Sequence, residues 1–331
     1  MDVLVLGGSV FLGRAVVAQA QEAGAKVAVF NRGQSGPAPD GVEQVTGDRT
    51  DPADLEQLAG RRFDVVVDTS GYVPADVARV AKVLAPTCDH YSFVSTINVF
   101  PGWPTMADYH DGGVHPGDPD ATREDAPNPD EAYGWLKAGC ELAVAREFGP
   151  DRHCTLRAGC IVGPYDARTG RLPWWIARVA RGGEVLAPGQ PDDTVALIDS
   201  RDLARFALAR PAGAFEVTGD PVPRHELLAT TRDVTGSDAT FTWVGSDWLA
   251  QQDVEEWTEI PLWAAEPGIF RHDNGPAKAA GLPLRPIQQT VADTWAWQQA
   301  VPDGWLPSQQ TPGLEPDKER QLLDAWRGFG K

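Results

Sequence analysis

The stretch Val3-Leu4-Val5-Leu6-Gly7-Gly8-Ser9-Val10-Phe11-Leu12-Gly13 decides the fold, because it runs from an apolar strand through a glycine turn into an amphipathic helix. Glycine lets the backbone bend sharply and approach a ligand closely, while unpaired N–H groups and the positive end of the helix dipole face an anion. This order of elements is the seat of a dinucleotide pyrophosphate. Gly7, Ser9, Val10, Phe11, Leu12 and Gly13 are therefore the first candidate cofactor contacts. Val10 stands where the G-x-x-G-x-x-G form of the loop has its middle glycine. A β-branched side chain there is expected to widen the turn and weaken cofactor affinity.

A second strand, Lys26-Val27-Ala28-Val29-Phe30, follows a helix that stops near Gly24 and leads into Asn31-Arg32-Gly33. That corner lies roughly twenty residues beyond the glycine loop, where such a fold places the residue that reads the adenosine ribose. An Asp or Glu there would accept from the 2′-hydroxyl and repel a 2′-phosphate. Neutral Asn31 and cationic Arg32 instead predict that NADP(H) is favoured over NAD(H).

Strand and helix patterns then alternate. Strands are expected at residues 42–45, 63–67 and 91–94, with helices at 52–59 and 74–84 between them. Short β-rich runs separated by helices predict an α/β fold with a Rossmann-type doubly wound parallel sheet. The dinucleotide-binding domain is read as residues 1–165. Residues 166–331 are read as a smaller, mixed substrate-binding lobe and C-terminal helix, with part of 184–220 returning to the sheet. Ligands gather beyond the carboxyl ends of parallel strands, which makes Asp48, Arg49, Thr69, Ser70, Gly71, Ser95 and Thr96 candidates for the site.

Composition excludes several alternatives. The 331 residues suit a two-lobed enzyme. A net charge of −18 disfavours generic nucleic-acid binding and anionic membrane surfaces. No apolar run approaches membrane-spanning length, so a soluble, cytoplasmic protein with no membrane partner is expected. Cys88, Cys140, Cys154 and Cys160 show no C-x-x-C pairing and are read as reduced packing residues, with no metal expected.

Residues 101–130 are rich in Gly, Pro, Asp and His and read as a long loop over the site, in which His110 and His115 are solvated. The loop delivers Tyr133-Gly134-Trp135-Leu136-Lys137. A Y-x-x-x-K pair puts phenol and ammonium on one helix face. The ammonium favours the phenolate, as proton transfer at a carbinol or carbonyl oxygen requires.

A glycine loop, Ser95-Thr96 at a strand end and Tyr133/Lys137 on the next helix together resemble the extended short-chain dehydrogenase/reductase superfamily, the NAD-dependent epimerase/dehydratase group. The resemblance implies a Thr96, Tyr133, Lys137 triad, with Thr96 rather than Ser95 as the hydroxyl when counted back from Phe100. It also implies that Ala158, Gly159, Cys160 and Ile161 line the nicotinamide, since residues 157–165 look like the family's R-P-x-x-x-Y-G-P segment. Residues 198–204 are similar to its I-x-V-x-D-x-A corner. Phe30-Asn31-Arg32-Gly33, Gly47-Asp48-Arg49 and residues 174–183 resemble a subgroup that includes the chloroplast stem-loop RNA-binding proteins. Hexose 4,6-dehydratases carry Thr-Asp-Glu where this chain has Thr96-Ile97-Asn98, so dehydration by their mechanism is not expected.

These readings give an NADP(H)-dependent oxidoreductase acting on a carbonyl or carbinol of a small-molecule substrate. An epimerase of a sugar or nucleotide sugar, using the same residues twice, is the alternative; a catalytically silent nucleotide- or RNA-binding protein is another, with Arg168, Arg171, Arg178 and Arg181 as its candidate groove. Asn98, Trp174, Trp175 and Trp263 are the candidate substrate pocket. The C-terminal pattern, with Leu322, Leu323 and Trp326 on one side, is expected to be a docked helix. A homodimer is expected: the resemblance implies pairing through the Tyr/Lys helix, and the apolar row Leu136, Cys140, Val144 and Phe148 calls for a partner.

Overall fold

The computed structural model describes residues 1–102, 113–127, 131–167, 169–266, 270–301 and 313–329. His110 and Arg168 lie outside the described residues. The strands are β1 (Asp2–Leu6), β2 (Lys26–Asn31), β3 (Glu43–Thr46), β4 (Val65–Asp68), β5 (Tyr91–Thr96), β6 (His153–Ala158), β7 (Cys160–Val162), β8 (Glu184–Pro188), β9 (Thr194–Asp199), β10 (Gly213–Val217), β11 (Pro221–Pro223) and β12 (Thr240–Val244). The α-helices are α1 (Phe11–Glu22), α2 (Pro52–Leu55), α3 (Pro74–Leu84), α4 (Ala132–Phe148), α5 (Arg171–Ala180), α6 (Ser200–Leu208), α7 (Arg224–Thr235), α8 (Ser246–Gln251), α9 (Gly275–Ala279), α10 (Ile287–Ala300) and α11 (Pro316–Phe329).

Two compact units result. The first holds Met1–Ile161, Ser200–Gly219 and His272–Leu284. Its seven-stranded sheet runs β10-β6-β5-β4-β1-β2-β3, and every pairing in it is parallel. Parallel strands need both faces covered, and β1 and β4 accordingly read as unbroken Val/Leu runs rather than alternating ones. The order reverses beside β1, which creates the crevice where a doubly wound sheet takes its ligand. All four cysteines are free and buried.

Helix α4 differs from the surface helix its sequence suggests. Leu136, Cys140, Val144 and Phe148 are buried within the single chain, with the Phe148 ring 5.1 Å from that of Tyr91. The row is ordinary core and does not call for a second copy. Part of the remaining surface of α4 is covered by residues 113–127. Gly139 lies so close to the Asp118 carbonyl that a Cβ could not fit, Arg146 pairs with Asp120 at 2.9 Å, and Ala75 N–H donates to the Ala121 carbonyl at 3.0 Å. The described part of the long loop thus lies on α3 and α4. His115, expected in solvent, is buried, and its backbone N–H donates to the Val99 carbonyl at 2.8 Å. Besides Tyr133, Leu142, 44 % exposed, is a large apolar residue that α4 presents to solvent. Because the apolar row is spent on the chain's own core, Leu142→Glu is expected to leave the mass by light scattering unchanged; a variant that halves the mass would mean that α4 pairs with a second copy.

The second unit holds Val162–Asp199, Asp220–Arg271 and Arg285–Lys331. In it β12 pairs with β8 in parallel and β11 with β9 antiparallel. Helix α11 is docked by a buried ion pair, Glu319 to Arg178 at 2.6 Å, and by Leu322 and Leu323. The three indoles offered as a pocket belong to this unit's core. Trp175 and Trp263 are fully buried, the first donating to the Pro261 carbonyl at 2.6 Å and the second to Ser246 Oγ at 3.2 Å, while Trp174 packs edge-on against Trp175 at 4.9 Å. Buried, hydrogen-bonded tryptophans of this kind pack a core rather than face a ligand.

Candidate active site

The glycine turn is built by the backbone geometry that only glycine adopts easily. Gly7 and Gly8 have φ of +113° and +88°. A Cβ on Gly7 would lie 2.6 Å from Thr69 Oγ1, and one on Gly13 would lie 2.5 Å from the Gly8 backbone nitrogen, so helix α1 and the loop touch through bare backbone. Val10 occupies its place without cost. Its backbone is extended (φ −132°, ψ 151°), the conformation β-branched residues favour, and its side chain is 55 % exposed. The turn is therefore not widened at Val10; the positive φ falls on the next residue, Phe11, at 36°. The first turn of α1 has no side-chain cap and no acidic residue, which leaves its N–H groups and positive dipole end for an anion.

Asn31 supports this loop from the end of β2. Its amide nitrogen donates to the Gly7 carbonyl at 2.8 Å and to Ser9 Oγ at 3.0 Å, while its oxygen accepts from Gly33 N–H at 2.8 Å. Arg32 is exposed at the same corner. Asp48, at the end of β3, is held below the usual carboxylate range by the N–H and hydroxyl of Thr50, with Arg32 and Arg49 adding to the effect.

Arg49 turns inward. Its guanidinium grips Asp68 with two bonds, of 2.7 and 3.2 Å, and donates to Ser70 Oγ at 3.3 Å. Tyr91 Oη and Ser70 N–H complete the carboxylate, at 2.8 and 3.0 Å. Burial alone would raise the Asp68 carboxyl; Arg49 outweighs it and holds the group below the ordinary range. Arg49 thus braces the ends of β3 and β4 under the crevice. Thr69 Oγ1 donates to the Leu6 carbonyl at 3.0 Å, which joins β4 to the glycine turn.

The chemistry-bearing residues meet at the ends of β4 and β5 and the start of α4. Lys137, 3 % exposed, donates through Nζ to the Gly71 and Val94 carbonyls, both at 2.7 Å. Burial pushes its ammonium down to about 8. One helical turn before it, Tyr133 is 46 % exposed, and the Tyr72 ring lies 6.5 Å from the Tyr133 ring. Thr96 Oγ1 donates to Asn98 Oδ1 at 2.8 Å and accepts from Asn98 N–H at 3.2 Å, which caps a short turn at Ile97–Val99. Gly134 lets α4 start directly against the Asn98 carbonyl, where a Cβ could not fit.

Ser95 is occupied elsewhere: its hydroxyl donates to Glu141 Oε1 at 2.6 Å, and Arg157 pairs with the same carboxylate at 2.8 Å. Ala158 ends β6. Gly159 follows with its N–H donating to the Val217 carbonyl at 3.2 Å, and Cys160 and Ile161 open β7. Tyr72, Phe93 and Glu141 were not singled out from the sequence. Glu141 was within reach, being one turn beyond Lys137, whereas nothing local marks Tyr72 or Phe93 as neighbours of that lysine. Among the described residues no cluster of His, Cys, Asp or Glu is arranged to hold a metal, and no helix is long and apolar enough to cross a membrane.

A model of a family described as NAD dependent epimerase/dehydratase matches residues 3–211. Among solved structures, UDP-glucose 4-epimerase of Thermotoga maritima, determined with UDP-glucose, superposes with a TM-score of 0.65 at 19 % identity, covering 90 % of this chain and 99 % of that one. A putative epimerase from Burkholderia cenocepacia gives 0.63 at 20 % identity, covering 90 % and 98 %. UDP-glucuronic acid 4-epimerase of Bacillus cereus, in complex with NAD, gives 0.62 at 15 % identity, covering 94 % and 100 %. At these identities the likeness is one of fold. A search of curated proteins gives no match.

Proposed function

Since the chain belongs to the NAD-dependent epimerase/dehydratase family, we propose that it is an NADP(H)-dependent oxidoreductase in which Thr96, Tyr133 and Lys137 act on the oxygen of a carbonyl or carbinol. The observation that carries this reading is the seating of the Lys137 ammonium on the Gly71 and Val94 carbonyls, one helical turn from the half-exposed Tyr133 phenol. The residues fit a dinucleotide. The absence of side chains at Gly7 and Gly13 lets the turn close tightly on Thr69 and Gly8 ahead of α1, and the uncapped start of α1 suits a pyrophosphate. Arg32 would meet a 2′-phosphate, Asp48 the adenine side, and Gly71, Ala158, Gly159, Cys160 and Ile161 the nicotinamide side.

When bound, the nicotinamide supplies or accepts hydride. The protein's own part is proton transfer and positioning. In the reductive direction Tyr133 Oη gives its proton to the substrate oxygen, and Thr96 turns its hydroxyl hydrogen from Asn98 Oδ1 to the same oxygen. Lys137 has a third N–H beyond the two given to carbonyls. Its charge favours the Tyr133 phenolate left behind. In the oxidative direction the same groups run in reverse.

An epimerase on a nucleotide sugar is the second reading, favoured by the full-length likeness to UDP-sugar epimerases. Incubation of the protein with NADPH or NADP⁺ and panels of carbonyls and UDP-sugars separates the two, since net oxidoreduction changes the reduced nicotinamide absorbance and epimerisation changes only the sugar's NMR spectrum. Failure to bind either dinucleotide would overturn both. The binding-only reading loses one of the four residues of its groove, because Arg178 is buried against Glu319. The sequence gives the net charge as −18, which also opposes phosphate attraction.

Cofactor preference has its own test. Arg32→Ala should weaken NADPH binding roughly tenfold, the size of one charge-assisted hydrogen bond, and leave NADH unchanged. Equal losses for both dinucleotides in a fluorescence titration would remove Arg32 from the 2′-phosphate.

A further inference from the structure

The Lys137 ammonium is buried with no carboxylate bonded to it. Its two hydrogen bonds go to neutral carbonyls. The nearby acids are engaged elsewhere, Asp68 with Arg49 and Glu141 with Arg157, and act on it only through space. An isolated buried cation is costly unless something replaces its water. Two aromatic faces do so here. The Phe93 ring centroid lies 4.1 Å from Nζ and that of Tyr72 5.5 Å, both inside the roughly 6 Å range over which a ring quadrupole attracts a cation.

We propose that Phe93 and Tyr72 are positioning residues, forming an aromatic cage that keeps the Lys137 ammonium charged and in place beside Tyr133. The proposal rests on the reading of Lys137 as the lysine partner of Tyr133. The fold builds the cage with care for space. A Cβ on Gly71 would lie 2.7 Å from Phe93 Cε2, so only glycine lets the carbonyl and the ring reach the ammonium together. Phe93 is fully buried in β5 and holds the core side. Tyr72 is 49 % exposed and covers the entrance side, where its ring fills no core and its backbone leads straight into α3 at Pro74.

The titratable groups facing the ammonium come from every element around it: Glu141 on α4, with Cys140, whose thiol burial pushes up to about 12 and so leaves uncharged where the lysine titrates, Asp68 on β4, and Arg49 after β3. Asp68 and Glu141 favour the charged form and Arg49 opposes it, while burial opposes it most. None of these groups is altered by changing the rings. Removing a ring therefore isolates the ring's contribution.

The test is an NMR titration of the whole protein carrying lysine labelled with ¹³C at Cε, with the Lys137 signal identified by its loss in Lys137→Arg. Tyr72→Leu and Phe93→Leu should each move the Lys137 midpoint down by about one unit, the equivalent of one desolvated cation–π contact. Tyr72→Phe, which keeps the ring and loses the hydroxyl, should titrate as the wild type does. Unmoved midpoints in Tyr72→Leu would overturn the cage, as would a Tyr72→Phe shift as large as that of Tyr72→Leu. Tyr72 is at the surface, so its variants keep the test decisive if Phe93→Leu fails to fold. The readout needs no turnover: a protein that transfers no hydride can still show the shift, and an active one can fail to show it.

Discussion

Tyr133→Phe is expected to lower turnover by roughly 10²- to 10⁴-fold, the contribution of a general acid, while NADPH affinity stays near the wild-type value. The substitution keeps the ring that faces Tyr72 and deletes only the hydroxyl, so α4 and the seating of Lys137 are untouched. Loss of turnover without loss of cofactor binding is what distinguishes a proton-transfer group from a packing one. Single-turnover measurements with saturating NADPH decide it; a variant within threefold of the wild type would remove Tyr133 from the chemistry. This expectation presumes a substrate found by the carbonyl and sugar panels, and it holds for either direction of net reaction.

The largest effect on stability is expected at Arg49. Arg49→Met leaves the fully buried Asp68 carboxylate without its cation, and breaking such a pair from one side costs about 3–5 kcal/mol. The pH dependence carries the sign. In the wild type Asp68 is held below its unfolded value, so the pair's stabilisation is fully present above the unfolded carboxylate pKa of about 3.9 and is lost as pH falls through the folded one. In the variant, burial without Arg49 raises the Asp68 carboxyl instead, so the gap between the two proteins should narrow on acidification. Urea unfolding at neutral pH and near pH 4 measures both effects. A variant within 1 kcal/mol of the wild type at neutral pH would mean that the pair braces nothing.

Both predictions concern residues that the sequence pointed to, yet it described them unequally. Tyr133 and Lys137 are readable because a helix brings residues four apart onto one face. Arg49 was read as a cofactor contact because it sits at a strand's carboxyl end, and the structure turns it inward to Asp68, nineteen positions along the chain and three strand positions away, across β2 and β1. No local rule links those two residues. The same holds for Asn31, expected at the ribose and found clamping Gly7 and Ser9.

Val10 shows the converse. A consensus comparison marked it as a defect in the loop, whereas its extended backbone and outward side chain make it an ordinary residue there, with the strained angle moved to Phe11. The apolar row on α4 was correct as a row. What it faces was not legible, because a helix buried over most of its surface carries little amphipathic contrast to tell core from interface.

What the sequence by itself determined is the alternating βα order, the glycine turn after β1, and the placing of Thr96, Tyr133 and Lys137 on elements that end at one sheet edge. These follow from local rules: the reach of an apolar run, the φ freedom of glycine and the pitch of a helix. Only the tertiary structure decided that residues 113–127 cover part of α4, that Trp175 and Trp263 are core, and that Phe93 and Tyr72 enclose the lysine. Each of those joins side chains from segments distant in sequence, and such contacts are selected by the packing of the whole chain rather than by any stretch of it.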